Sequence, residues 1–192
     1  MRLETPLHTA ALRAILLRPH GFVWTTMGFG MIRTYLDGDK RWRLNVWDDR
    51  LQVPGVSTIH DHPWDFTSYI IAGALLNIVY FTNDAEGDWT HEYHRIKTGE
   101  GGAPVEAPLP ALLRFSGSQL YRPGDKYYQP KEWVHETRYD RGTVTLNDRS
   151  PPTAEYTARV FWPAGTGWAN AMPRPAAADE VERACKAALE LF

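Results

Sequence analysis

Between Met31 and Trp162 the chain is a succession of short β-rich runs, each cut off within a few residues by glycine, proline, asparagine or aspartate. Candidate strands fall at 31–36, 41–47, 57–60, 67–72, 74–81, 90–97, 111–115, 134–139, 143–147 and 156–162. β-Branched and aromatic residues suit a pleated, half-buried surface, and Gly and Pro punctuate it. So many short strands at close spacing predict a sandwich or barrel and argue against a parallel sheet, whose strands need long helical crossovers. The segment 98–110, rich in Gly, Pro and Glu, reads as a flexible loop, and the chain carries no internal repeat.

Helical composition is confined to the flanks. Residues 8–17 read as a helix stopped by Pro19-His20-Gly21. Over 176–192, Val181, Ala184, Cys185, Ala188, Leu189 and Phe192 recur at helical spacing and form an apolar stripe. Cys185 lies in that stripe and reads as a small buried hydrophobe. The expected plan is one domain over 1–192, with an N-terminal helical extension 1–30, a β-barrel 31–165 and a C-terminal helix 176–192. The stripe would pack on the barrel or on a second subunit.

His60-Asp61-His62, joined far downstream by His135 in Pro130-Lys131-Glu132-Trp133-Val134-His135, points to chemistry. Neutral imidazole is the commonest protein metal ligand near pH 7. Two histidines at i and i+2 of an extended segment point to one side, and a third from another strand could close a three-nitrogen face on a cation. Such a face leaves coordination positions open, as chemistry requires. The plain alternative is a set of polar cavity histidines without metal. His91 and His94 stand three apart, which sends them to opposite faces of a strand, so both read as surface or rim residues.

The surrounding text resembles both signature motifs of the cupin superfamily. The first, G-x5-H-x-H-x3,4-E-x6-G, is followed by Gly55, His60, His62 and Gly73 with one residue fewer before the first histidine. The second, G-x5-P-x-G-x2-H-x3-N, is followed by Gly124, Pro130 and His135. The resemblance covers roughly residues 55–139 and implies an all-β cupin fold, a double-stranded β-helix or jelly-roll barrel, with short flanking N- and C-terminal helices. It departs at the motif's glutamate, where this chain has Phe66, and at its terminal asparagine, where it has Tyr139. The implied ligand set is therefore His60, His62 and His135, with Asp65 one residue early as an extra-ligand candidate. H-D-H-P-W-D-F is also similar to small bacterial and phage cupins, a likeness that implies no activity. Cupins with three histidines resemble thiol dioxygenases, which implies a mononuclear non-heme iron dioxygenase-type enzyme. A tyrosine–cysteine crosslink like that of some thiol dioxygenases is excluded, because Cys185 is the only cysteine and lies in the tail.

Arg33, Tyr35, Arg43, Asn45, Tyr69, Asn77, Arg114, Tyr121, Tyr127 and Arg159 lie on or beside candidate strands, where alternate residues face inward. For any one Arg an outward, solvated position is the ordinary fate, yet at least one is expected to reach the cavity. An inward Arg needs a partner, most naturally an anionic substrate group held bidentately. Phe66, Tyr69, Arg114, Tyr127 and Trp133 are the candidate substrate-pocket residues, and Trp64 also lies beside a ligand. Eight Trp and nine Tyr exceed what a core of this size needs and suggest an aromatic-lined cavity.

A net charge of -2 argues against general nucleic-acid binding. The apolar run 10–17, broken by Arg13, is too short for a membrane span or signal peptide, so the expected location is cytoplasmic. The expected cofactor is a divalent ion, Fe2+ first and Zn2+, Ni2+ or Mn2+ otherwise, since imidazole sites accept all of them. Expected partners are a small-molecule substrate or ligand and a second copy of the chain in a homodimer. Two other functions fit the same residues: a non-catalytic cupin that binds a small ligand, and a metal-dependent isomerase or lyase on a sugar or organic acid.

Overall fold

The computed structural model describes residues 5–83, 89–96, 104, 106–152, 157–167, 169 and 173–192. They form an all-β jelly-roll barrel with one short α-helix near each end of the chain. After α1 (Thr5–Leu17) come β1 (Thr25–Thr26), β2 (Phe29–Tyr35), β3 (Trp42–Gln52), β4 (Ile59–His60), β5 (Phe66–Ala72) and β6 (Leu75–Asn83). Then follow β7 (His91–Ile96), β8 (Leu109–Tyr121), β9 (Lys126–Gln129), β10 (Val134–Tyr139), β11 (Val144–Arg149), β12 (Ala158–Pro163), β13 (Arg174–Pro175) and α2 (Ala178–Leu189).

A first sheet, here called sheet A, runs β13-β1-β2-β3-β11-β5-β9, while β10-β4-β12-β7-β8-β6 close on themselves. Every ladder is antiparallel. Insertion of β11 between β3 and β5 brings distant segments side by side, which is what lets functional residues from separate parts of the sequence meet.

Strict alternation gives sheet A two faces. On β3, Leu44 and Val46 turn outward with Ile32, Val144 and Leu146 into a core completed by Leu12 and Leu16 of α1 and Val181, Ala184, Cys185 and Ala188 of α2. The residues flanking that pair, Arg43 and Trp47, turn inward and line a cavity between the sheets. A packed core on one face and a cavity on the other are thus carried by the same strands.

The tail stripe docks through Val181, Ala184, Cys185, Ala188 and Leu189, whereas Phe192, past the end of α2, is 38% exposed. Burial pushes the Cys185 thiol up to about 12, so it is inert at neutral pH. The first turn of α2 is acidic, with Asp179 and Glu180, and Glu180 accepts a hydrogen bond from the Ala177 amide at 2.8 Å while pairing with Arg174. The helix lies so close to the β10–β11 turn that a Cβ on Gly142 would stand 2.5 Å from the Ala187 carbonyl oxygen.

Several boundaries differ from expectation. β1 and the start of β2 occupy part of the N-terminal segment read as helical, and β1, β9 and β13 were not anticipated. Each of these three has two to four residues, too few for a periodicity to register. β8 reaches 13 residues, not five, because Gly117 and Ser118 continue the ladder with β6 through a register shift. The tail helix covers Ala178–Leu189, and the N-terminal one begins at Thr5. Of the segment 98–110, residues 98–103 and 105 lie outside the described residues, as does Tyr156 of the last candidate strand.

Gly142→Ala is expected to destabilise the fold by more than about 2 kcal/mol, because a Cβ at φ +83 is strained and would press on the backbone of α2. Urea unfolding checks this, and a loss within 0.5 kcal/mol, about what an ordinary surface change produces, would contradict the close docking of the helix.

Candidate metal centre

Three segments bring the histidines together. His60 ends β4, His62 follows two residues on, and His135 sits opposite His60 across the β4–β10 ladder. Although β4 stops at His60, both imidazoles of the H-x-H pair face the cavity, while the Asp61 carboxylate between them is bonded to Arg159. Ring centroids of the three histidines stand 4.6, 4.9 and 5.2 Å apart, and one ring nitrogen from each lies within 4.8 Å of the others. They form a group that could hold a metal ion.

The tautomers favour this. His60 Nδ1 lies 2.9 Å from the Thr58 carbonyl oxygen, and His135 Nδ1 lies 2.8 Å from Asn77 Oδ1. Both acceptors require Nδ1–H, which leaves Nε2 as a lone pair aimed at the centre. Asn77 is itself held, because its Nδ2 donates to Gln129 Oε1 at 3.2 Å and Gln129 donates to the Trp133 carbonyl at 3.1 Å. His62 Nε2 and His135 Nε2 are 3.1 Å apart. Two nitrogens at about 2.1 Å from one ion and at right angles would be about 3.0 Å apart, so the observed spacing suits shared coordination.

Burial sets the protonation. It lowers His60 to about 4, against the opposing hydrogen bond to the Thr58 carbonyl and with help from Arg43. His62 and His135 are held well below the ordinary range, by burial first and then by the neighbouring histidine and arginine charges. All three are therefore neutral at pH 7, the form that binds metals.

Asp61 locks the centre from behind. Its carboxylate, fully buried, accepts from the Arg159 Nε and backbone amide at 2.6 Å each, and its own amide donates to the Arg159 carbonyl. Arg159 Nη2 also donates to the Glu132 carbonyl at 3.1 Å, and the Glu132 amide donates to the His62 carbonyl. Glu132 stands where the cupin motif has glycine and adopts φ +68, a left-handed conformation that glycine takes without strain.

Of the pocket candidates, Phe66 and Tyr127 line the cavity with the histidines, and the Phe66 ring meets His62 edge-on at 5.1 Å. Tyr69 does not: one residue out of phase with Phe66 and Ser68, it packs against Trp42 on the helix side of sheet A. Arg114 is exposed on β8, and Trp133 is 53% exposed in the turn before β10, though its carbonyl holds Gln129. Asp65 stands outside the histidine group, and its Oδ1 accepts from the Lys131 amide at 2.8 Å, fixing the loop before β10. His91 and His94 are likewise outside the group, with His94 against Trp162. Trp64 stacks on His62 at 5.4 Å and walls the site.

The cavity beside the histidines measures about 600 Å³, within the range of small-molecule sites. A depression of about 700 Å³ lined by Lys40, Arg41, Asp65 and Tyr128 is more open and holds none of the three histidines. Arg149, which lines the histidine cavity, went unrecognised in the sequence, as did the buttress of Asn77 and Gln129 behind His135. Arg149 lay two residues past the expected end of its strand, although it continues the inward series Thr145, Asn147 at period two.

Two outcomes follow for the metal-free protein. A histidine depressed when folded binds fewer protons than when unfolded, so its contribution is complete above about pH 6.5 and is lost as pH falls, levelling off near 4 for His60. In urea titrations His60→Gln is expected to flatten the stability–pH slope in that window by up to about 1.4 kcal/mol per pH unit; an unchanged slope would contradict the assigned neutrality. Asp61→Ala leaves Arg159 without its buried carboxylate and is expected to cost about 3–5 kcal/mol by the same measurement. A cost under 1 kcal/mol would remove Asp61 as the lock.

The fold and the histidine cluster are compatible with a cupin. No protein-family model matches the chain and no curated protein matches it, so the reading of the site rests on its geometry.

Proposed function

We propose that the protein is a metal-binding cupin whose three histidines hold one divalent ion, Fe2+ ahead of Zn2+, Ni2+ or Mn2+, in a mononuclear non-heme dioxygenase-type enzyme acting on a small polar molecule. The observation that carries this reading is the convergence of three neutral imidazoles, two with Nδ1 committed to acceptors, on the wall of a cavity of substrate size. The donor set fits the ion, since three nitrogens without a carboxylate leave room for exogenous ligands.

A bound ferrous ion would supply redox chemistry towards dioxygen and a substrate donor, whereas zinc in the same place would supply Lewis acidity alone. The chain's part is orientation. Thr58 and Asn77 fix the tautomers of His60 and His135, and Phe66 and Trp64 place rings against His62 that keep water from that side. Phe66 in place of a carboxylate removes one anionic ligand, which leaves the protein's contribution to the centre neutral.

Protein made without a His tag is expected to carry about one equivalent of iron by elemental analysis and to consume oxygen with its substrate. His135→Ala should abolish stoichiometric metal. Asn77→Ala, which frees the His135 tautomer, should weaken metal affinity about 10–100-fold in a competitive chelator titration. A wild type that binds no divalent ion more tightly than His135→Ala would leave a non-catalytic ligand-binding barrel. Turnover with zinc under anaerobic conditions would instead make it an isomerase or lyase.

A further inference from the structure

The wall facing the histidines is built from arginines that meet no carboxylate among the described residues. Across sheet A, Tyr35 of β2 pairs with Arg43 of β3, which pairs with Asn147 of β11, which pairs with Ser68 of β5. Arg33 lies two residues before Tyr35 and Arg149 two after Asn147, so all three guanidiniums issue from the inner face onto the same cavity. Arg43 is 5% exposed and Arg149 9%.

Among the described residues none of the three forms an ion pair, whereas Arg41, Arg50, Arg138, Arg141, Arg159 and Arg174 all do. Elsewhere the chain neutralises even its least exposed pair, Arg159 with the buried Asp61, so the lack of a described carboxylate at the three cavity arginines is a property of that wall. What the buried three have are hydroxyls. Arg33 Nε donates to Thr25 Oγ1 at 3.3 Å and Arg149 Nη1 to Tyr35 Oη at 3.1 Å. Among the described residues the Nε atoms of Arg43 and Arg149 are buried without an acceptor, and so is the Trp64 indole nitrogen. Burial, reinforced by Arg33, lowers Arg43 to about 9, which still leaves it a cation at neutral pH. Burial would raise the Tyr35 phenol, but Arg33, Arg43 and Arg149 outweigh it and hold it below its usual value.

We propose that this wall binds an anion, and that the molecule entering the cavity carries a doubly charged oxyanion head, a phosphate monoester or a dicarboxylate, seated on Arg33, Arg43 and Arg149. Three clustered cations ask for more than one negative charge, and the guanidinium fork matches paired oxyanion oxygens. The span is set by Trp64, which has Arg149 over its face at 4.2 Å and His62 stacked at 5.4 Å. One molecule can therefore rest its charged head on the arginines and present its other end to the histidines. The inference rests on the cavity being the substrate site of the proposed enzyme, but the anion wall itself needs no metal.

The test is thermal unfolding of chelator-treated protein, titrated with inorganic phosphate or malonate against sodium chloride of equal ionic strength. A dianion is expected to raise the wild-type melting temperature by about 2–4 °C or more, growing with the logarithm of its concentration. Arg43→Met and Arg149→Met should lose that shift, yet melt no lower than wild type without dianion, because each removes a buried, repelled charge. A larger effect of phosphate assigns a phosphoryl head and a larger effect of malonate a dicarboxylate. A wild type indifferent to both, variants that keep the shift, or variants that melt well below wild type without dianion would overturn the proposal. The shift should persist in His135→Ala, so metal binding and anion binding can fail separately.

Discussion

A two-residue strand is a weak support for two of three clustered histidines, and the buried Asp61–Arg159 pair is what makes β4 sufficient. β4 has only Ile59 and His60 to offer its neighbours β10 and β12. Asp61 extends the attachment by binding both the side chain and the backbone of Arg159. Arg159 reaches on to Glu132, whose amide returns to the His62 carbonyl. One ion pair thereby ties the segment carrying His60 and His62 to β12 and to the loop that delivers His135. Low dielectric strengthens such a network only while every member is satisfied, which is the condition met here.

Sheet A reconciles a stable core with a polar cavity by using both sides of the same strands. The helix side is closed with aliphatic residues, Leu44, Val46, Val144 and Leu146 among them, each less than 5% exposed. The cavity side tolerates Arg43, Asn45, Asn147 and Arg149, groups that would be costly in a core with nothing to bind. Buried polar atoms without protein partners, such as Asn45 Oδ1 and Asn147 Oδ1, lie on this side of the sheet. Unsatisfied groups of this kind gather where a protein is built for something other than its own stability.

The histidines were legible in the sequence because period two puts His60 and His62 on one side and the resemblance supplies His135. The turn-punctuated runs gave the all-β class for similar reasons, and the tail stripe gave α2. What stayed hidden depends on register, which no single segment records. Arg43 faces the cavity and Arg114 faces water, though both are arginines on strands, because Arg43 falls on the inward phase of β3 while Arg114 is out of phase with the buried Ala111 and Leu113 of β8. Tyr69 and Phe66 were both pocket candidates, yet they differ by an odd number of residues and so lie on opposite faces. Asn77 as a tautomer clamp required knowing that β6 pairs with β10, with His135 and Asn77 two rungs apart.

Because α2 rests on the back of β3, the helix shares the fate of whatever occupies the front. Separating Ala184 or Ala188 from Leu44 and Val46 means loosening a strand whose alternate residues, Arg43 and Asn45, belong to the cavity side. A ligand that needs this strand in place adds its binding free energy to the cost of any opening that displaces it. Amide hydrogens in α2 and in the middle of β3 would then exchange with solvent more slowly together, although no atom of the helix touches the bound molecule. The outer helix is in this sense a thermodynamic gauge for the inside of the barrel.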